Sequence, residues 1–225
     1  MKPFLLLHAG YTSCYVGLIS KNQIISFSQE DKRFASKNIA LRIVEILNKN
    51  NLTPQELSFI GVDCGPGPFT STRVAVATAN GIAFGIGLPI VELNSLEALL
   101  ESYPLTSNTA IVLAVYNAYN QDIYYAIRQA DASLSAASCT KQELLINQVI
   151  PNILNSNGLT IIGQGVDLIL NQLNSLYQNR FITNHSYTEP TIQALANHAI
   201  KKFQTTQPVQ QANPLYLKAG YNLKI

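Results

Sequence analysis

Gly65-Pro66-Gly67-Pro68-Phe69-Thr70-Ser71-Thr72-Arg73 runs directly into Val74-Ala75-Val76-Ala77-Thr78-Ala79-Asn80-Gly81-Ile82-Ala83-Phe84. Upstream, Phe59–Asp63 reads as a buried strand. Downstream, Gly87-Leu88-Pro89 reads as a turn into another short strand. The order is strand, glycine-proline turn, helix, turn, strand, the alternation from which α/β folds are assembled. A Gly-rich turn before a helix can aim backbone N–H groups at an anion. Here the lysine-bearing P-loop pattern is absent, and Pro66 and Pro68 have no N–H to give. A rigid turn capped by Thr70 or Ser71 is the stronger reading; Gly65, Gly67, Thr70 and Ser71 are the residues an anion would use.

The helix itself is unusual. From Arg73 to Phe84 it is apolar or small almost all round, with only Thr78 and Asn80 as polar breaks. A surface helix normally carries charge on one face, so this one is expected to be covered on more than one side. The sheet covers one. The other can be covered by the helix near residues 36–49, by the second half of the chain, or by a partner protein, and the partner is favoured. Arg73, Val76, Ala77, Asn80, Gly81 and Phe84 are the candidate interface, with Leu41 and Val44 on the neighbouring helix. Val74 to Val91 lacks charge over nearly a membrane-spanning length, but Thr78, Asn80, Gly81, Gly85, Gly87 and Pro89 interrupt it, so no span is expected.

Working outward, Leu5–His8, Tyr15–Ile19 and Ile24–Ser28 read as strands, the latter two joined by a tight turn at Lys21-Asn22. Ser36 opens a helix carrying Ile39, Ile43, Ile46 and Leu47, Thr53-Pro54-Gln55-Glu56 is a capping box, and Asn94-Ser95 caps Leu96–Ser102. Around Pro104–Thr109 the pattern restarts. Strands are expected at Ala110–Tyr116, Ile123–Arg128 and near Leu134–Cys139, then a capping box at Thr140 and Glu143 and a helix that Pro151 kinks or ends. A strand at Thr160–Gly163, a helix at Val166–Leu176, a strand at Phe181-Ile182 and a helix from Pro190 to about Phe203 follow, and the tail Asn213–Ile225 packs back. The expectation is an α/β protein of two βββαβα units, residues 1–104 and 105–225, in a two-lobed actin-like/sugar-kinase-like (ASKHA) fold whose halves flank a nucleotide cleft.

Composition narrows the function classes. Hydrophobic residues make up 47% of the 225, which excludes disorder, and charged residues only 12%, which a partner or the many Asn and Gln residues explain. Net charge is +2 and the densest basic pairs are Lys32-Arg33 and Lys201-Lys202, too little for the main grip on a nucleic acid. Cys14, Cys64 and Cys139 form no CxxC and read as reduced core thiols of a cytoplasmic protein; the apolar run before His8 is too short for a signal peptide.

The loop and helix resemble those of the bacterial TsaB (YeaZ) family, whose loop reads close to Gly-Pro-Gly-Ser-Phe-Thr-Gly-Leu-Arg. Gly87-Leu88-Pro89-Ile90-Val91, Ser95-Leu96-Glu97-Ala98-Leu99, Asp122-Ile123-Tyr124-Tyr125 and Pro214-Leu215-Tyr216-Leu217-Lys218 match as well. The resemblance is closest over residues 56–100, looser over 1–55 and 109–128, and slight over 129–212. It implies a two-lobed subunit without catalytic activity that pairs with the catalytic paralogue TsaD to make threonylcarbamoyladenosine beside the tRNA anticodon. A small ATPase, TsaE, would join the complex, tRNA would be touched only indirectly, nucleotide (ATP or ADP) would belong to the complex, and the chain would form a homodimer when the paralogue is absent.

The departures point the same way. His8-Ala9-Gly10 stands where the family has Asp-Thr-Ser, Asn117-Ala118-Tyr119 stands for Asp-Ala-Arg, and Pro68, Ser71 and Thr72 replace Ser, Gly and Leu. Phosphoryl transfer needs carboxylates to hold a divalent metal, and both turns lack them. His8, His185 and His198 have no metal-binding spacing, and no serine elbow is present. Cys14 and Cys139 have no sequence-visible histidine partner, and Cys64 reads as a packed cysteine ahead of a reactive thiol. An actin-like kinase or ATPase, a peptidase, and a homodimeric binding module unrelated to tRNA remain as alternatives.

Overall fold

The computed structural model describes residues 2–104, 111–154, 158–178 and 180–218. β1 (Phe4–Ala9), β2 (Ser13–Ser20) and β3 (Gln23–Asp31) form an antiparallel meander, and β1 pairs in parallel with β4 (Ile60–Asp63), which pairs in parallel with β5 (Ile90–Leu93). The resulting order is β3-β2-β1-β4-β5. Lys21 and Asn22 both adopt left-handed φ, 49° and 63°, the two-residue turn whose twist matches a hairpin. β1 is buried along its whole length, as a central strand covered on both faces must be, whereas β3 alternates half-buried and exposed residues at the sheet edge.

The second sheet repeats the plan. β6 (Ile111–Asn117), β7 (Asp122–Arg128) and β8 (Ser138–Lys141) run antiparallel, and β9 (Leu159–Ile162) and β10 (Phe181–Asn184) extend β6 in parallel, giving β10-β9-β6-β7-β8. The helices are α1 (Lys32–Lys49), α2 (Phe69–Ile86), α3 (Ser95–Ser102), α4 (Gln142–Leu144), which continues through a π-helical stretch at Leu145–Val149 into α5 (Ile150–Ile153), α6 (Val166–Tyr177) and α7 (Ile192–Thr205). Each half is therefore βββαβαβα, one strand and one helix longer than the expected repeat. Two mixed five-stranded sheets of matching order are the two-lobed ASKHA plan.

Contacts group Met1–Ser95 with Thr191–Leu215, and Leu96–Pro190 with Tyr216–Ile225. This differs from a division at 104/105, because α7 returns to the first sheet. Ile192 lies over Gly17 and Ala199 over Gly61. Phe203 stacks on Phe59 at 4.4 Å, and Phe59 on Phe4 at 4.3 Å. A strap follows: Val209 exchanges both backbone hydrogen bonds with Ile90 on the β5 edge, at 2.8 and 2.9 Å. Each unit has its own apolar core, one around Leu5, Leu7, Val62 and Ala79, the other around Leu113, Val115, Ile161 and Leu173.

Several local expectations change. α1 begins at Lys32, ahead of Ser36, whose side chain lies outside the described residues. α2 is preceded by Pro68 with no side-chain cap, so neither Thr70 nor Ser71 caps it. The third strand of the second unit is Ser138–Lys141; Leu134 makes only a bridge to Arg128. Thr140 belongs to that strand and Lys141 takes the cap position without a side-chain bond, because pairing with Ile123 holds Thr140 in the ladder. Pro151 lies inside the continuous helical stretch Gln142–Ile153, directly after its π-helical part, and the helix runs only two residues beyond it. Glu56 does reach back to Thr53, accepting from its N–H at 2.7 Å and its hydroxyl at 2.9 Å. The expected break at Pro104–Thr109 lies almost wholly outside the described residues.

Gly163, between β9 and α6, has φ +107°, and a Cβ there would stand 2.1 Å from the Val115 carbonyl oxygen. Gly163→Ala should cost ~3 kcal/mol or more in urea denaturation, from strain plus collision. Gly81 has nothing within 4 Å of a built Cβ, so Gly81→Ala should stabilise the isolated chain by ~0.5–1 kcal/mol through helix propensity.

Candidate functional site

The decisive loop leaves β4 at Asp63, and that carboxylate organises it. The Gly65 N–H donates to Asp63 Oδ1 at 2.9 Å, while the Ser95 hydroxyl donates to Oδ2 at 2.6 Å. His8 Nδ1, at the end of β1, lies 2.6 Å from the same Oδ2. In the tautomer that carries its proton on Nδ1, His8 donates to that carboxylate oxygen. His8, Asp63 and Ser95 are buried, at 1%, 4% and 2% exposure. Ser95 N–H donates to the Gly65 carbonyl at 3.0 Å, and Leu215 N–H to the Cys64 carbonyl at 2.8 Å, closing the strap over the turn. Gly65, at φ +105°, takes a backbone conformation that only glycine adopts cheaply, and the Gly65–Pro66 peptide is cis.

This geometry answers the chemical expectations. Gly65 turns its N–H inward to Asp63, so of the anion candidates Gly65, Gly67, Thr70 and Ser71 the first is spent. The Thr72 N–H is taken by the Pro68 carbonyl at 3.0 Å. Ser95, Asp63 and His8 do not form a nucleophilic triad. The carboxylate lies between serine and histidine, so no imidazole reaches the hydroxyl as a base. Among the described residues no group of three His, Cys, Asp or Glu side chains could hold a metal ion. Cys14 is pushed up to about 12 by burial and then by Glu30. Cys64 is raised by burial first, then by the Asp63 and Glu92 charges. Neither is a thiolate near neutral pH. The sequence reading missed the Asp63 cluster, because His8 and Asp63 stand 55 residues apart and meet only when β1 pairs with β4. It also missed Asp122, a carboxylate directly after the β6–β7 turn, which pairs with Lys141 and Lys218 at 2.6 Å each.

α2 then divides into two rows. Thr72, Ala75, Val76, Ala79 and Ala83 are buried against the sheet and α1. Val76, at 2% exposure, is thus a core residue and not part of the outward face. Asn80 is half-buried and tied within the chain: its amide donates to the Ala212 carbonyl at 2.9 Å and its oxygen accepts the Ala212 N–H at 2.8 Å. The outer row is Phe69, Arg73, Ala77, Gly81, Phe84 and Gly85, all exposed. Phe84 is 92% exposed, and Leu41 and Val44 of the adjoining α1 are 54% exposed each. Arg73 stacks on the Phe69 ring, 3.6 Å from its centroid, so the one charge at this end is folded onto an aromatic. No described helix is long and apolar enough to cross a membrane. Gly87, with φ 69°, ends α2, and the Leu88 N–H caps the Ala83 carbonyl at 3.0 Å.

The buried thiols give a direct test. At pH 8 the native chain should show at most one promptly reacting cysteine, the half-buried Cys139. Cys14 and Cys64 should react with a disulfide reagent only as fast as the fold opens; prompt labelling of Cys64 would contradict the packed reading.

Comparison with known proteins agrees with this arrangement. Residues 29–145, just over half of the chain, match the family model for TsaD, tRNA N6-adenosine threonylcarbamoyltransferase. The TsaB protein of Buchnera aphidicola subsp. Baizongia pistaciae is 23% identical over 222 residues, 96% of this chain and 98% of that protein. The Haemophilus influenzae TsaB is 27% identical over 121 residues, where the match spans 54% of this chain and 51% of the relative, about half its length. YeaZ from Pseudomonas aeruginosa superposes with a TM-score of 0.77 at 20% identity, covering 96% of this chain and all of that one. A Bacteroides thetaiotaomicron protein with an actin-like ATPase fold superposes with a TM-score of 0.51 at 8% identity, covering 87% of this chain and 96% of the other. The chain belongs to this TsaD-type family and, within it, to the TsaB (YeaZ) group.

Proposed function

We propose that this chain is a non-catalytic subunit of the cytoplasmic machinery that makes threonylcarbamoyladenosine in tRNA, and that it acts by pairing with a TsaD-type catalytic paralogue. The relatives' names carry the pathway. The observation that carries the role is the outer row of α2 with Leu41 and Val44 of α1, a face of small and large apolar residues left open to solvent, on which the one charge of α2, Arg73, is stacked against Phe69. Burying Phe84 and the residues around it against a second pair of helices would make an interface of ~1,600 Å² in total. In this reading a TsaE-type ATPase joins the pair, tRNA is gripped mainly by the partner, nucleotide belongs to the complex, and the same face supports a homodimer when the paralogue is absent.

A kinase or ATPase reading asks for an accessible carboxylate at the phosphate-facing turns. Asp63 is enclosed by three donors and Asp122 is neutralised by two lysines, and both facts favour the scaffold. A peptidase reading asks for a base on the serine or thiol, and the order of Ser95, Asp63 and His8 does not supply one.

Co-expression with the TsaD-type paralogue, gel filtration and a tRNA-modification assay test the proposal. Ala77→Glu or Gly81→Arg should abolish co-elution, and with it the gain in modification that the chain confers, while the far-ultraviolet spectrum stays unchanged. Co-elution of either variant would overturn the interface. ATP turnover or proteolysis by the purified chain alone would overturn the non-catalytic role.

A further inference from the structure

The turn between β6 and β7 carries three consecutive non-glycine residues with left-handed φ: Tyr119 at 58°, Asn120 at 53° and Gln121 at 64°. L-residues seldom take this conformation in sequence, and such strain persists only where the surroundings hold it. Here the surroundings include the Asn117 side chain, whose Oδ1 accepts the Tyr119 N–H at 2.7 Å, and two ammonium groups. Successive left-handed residues turn their carbonyls the same way, like the open carbonyl end of a helix. Lys218 Nζ donates to the Ala118 carbonyl at 3.2 Å and the Tyr119 carbonyl at 3.3 Å, and pairs with Asp122 Oδ2 at 2.6 Å. Lys141 Nζ donates to the Asn120 carbonyl at 3.2 Å and pairs with Asp122 Oδ1 at 2.6 Å. The turn is fixed from below by the Asp122 N–H on the Tyr119 carbonyl and the Gln142 N–H on the Gln121 carbonyl.

Two acceptor types converge on Lys218: two backbone carbonyls and a mostly buried carboxylate oxygen. That set matches the three N–H donors of a primary ammonium, which a bulky or fully alkylated cation cannot satisfy. The two lysines differ in attachment. Lys141 belongs to a paired strand, whereas Lys218 arrives on an irregular segment outside any helix or strand, so its ammonium is the one that can leave.

We propose that the β6–β7 turn with Asp122 is a receptor for primary alkylammonium groups, filled in this chain by its own Lys218. Occupancy by Lys218 ties residues 216–218 to the turn. An outside primary amine, such as a polyamine or a lysine side chain, competes for the same three oxygens and releases that segment. The proposal is independent of the α1–α2 face.

Chemical rescue tests it. Lys218→Ala removes a propylammonium equivalent, and n-propylammonium chloride should restore it in trans. In amide spectra, the Tyr119–Asp122 signals of Lys218→Ala should move saturably with n-propylammonium. Affinity should be about tenfold or more weaker in the unaltered chain and in Lys218→Ala combined with Asp122→Asn, the weight of a charge-assisted hydrogen bond. Tetramethylammonium chloride should leave the signals unmoved. A flat response of Lys218→Ala, or equal shifts in the double variant or with tetramethylammonium, would overturn the receptor. Should Lys218→Ala fail to fold, amide exchange at Leu217 and Lys218 of the unaltered chain decides: n-propylammonium should speed it beyond tetramethylammonium at equal ionic strength, and equal rates would overturn the proposal.

Discussion

A carboxylate taken out of water must be repaid in hydrogen bonds, and Asp63 is repaid from three separate places. His8 comes from the central strand, Ser95 from the start of α3, and the Gly65 N–H from the turn itself. Satisfying one side chain therefore sets the position of β1 relative to β4, the direction in which the chain leaves β4, and the point where α3 begins. The turn direction in turn sets the axis of α2. A neutral residue at position 63 would leave His8 and Ser95 buried with weaker partners. Those two side chains have no role in any chemistry described above, and their burial is intelligible as the complement of Asp63.

The exposed face of α2 follows from how the helix answers that constraint. An 18-residue helix with no charge beyond Arg73 has no solvent-seeking side, and the sheet can hide only one row. The hidden row is made of residues no larger than valine, so α2 sits close to the strands. The outer row holds two bare glycines beside an exposed phenylalanine. The same helix is pinned from its flank by Asn80, whose paired bonds to Ala212 fix the strap and keep α2 from rotating about its axis.

Much of this was legible in the chain. The glycine-proline turn, the absence of charge in α2, the hairpin at Lys21-Asn22 and the Glu56 cap were readable because each rests on neighbours within a few residues. Reading failed where the decision is made at long range. Val76 and Ala77 are equally apolar, and only the packing of α2 on α1 and the sheet assigns one to the core and the other to the surface. His8 looked like a lost acidic group, and its partner is brought to it by strand pairing. Helix α7 has an ordinary amphipathic pattern that says nothing about which sheet it covers; that was decided by Gly17, Gly61 and the Phe4–Phe59–Phe203 stack. Thr140 and Glu143 met the capping pattern, but a strand ladder claimed the threonine first.

The return of α7 and the strap to the first sheet has a consequence for synthesis. Nearly all of the second unit is contiguous, so its strands can pair as soon as they leave the ribosome. The first unit is translated earlier but lacks one helical layer and the cover for its β5 edge until residues 191–215 have emerged. For that interval a nascent sheet stands with Phe4 and Phe59 uncovered and an open strand edge, the kind of surface that general chaperones bind. The older half of the chain thus matures last, and closing it requires contacts spanning more than a hundred residues, which makes the final step slow relative to the folding of the insert.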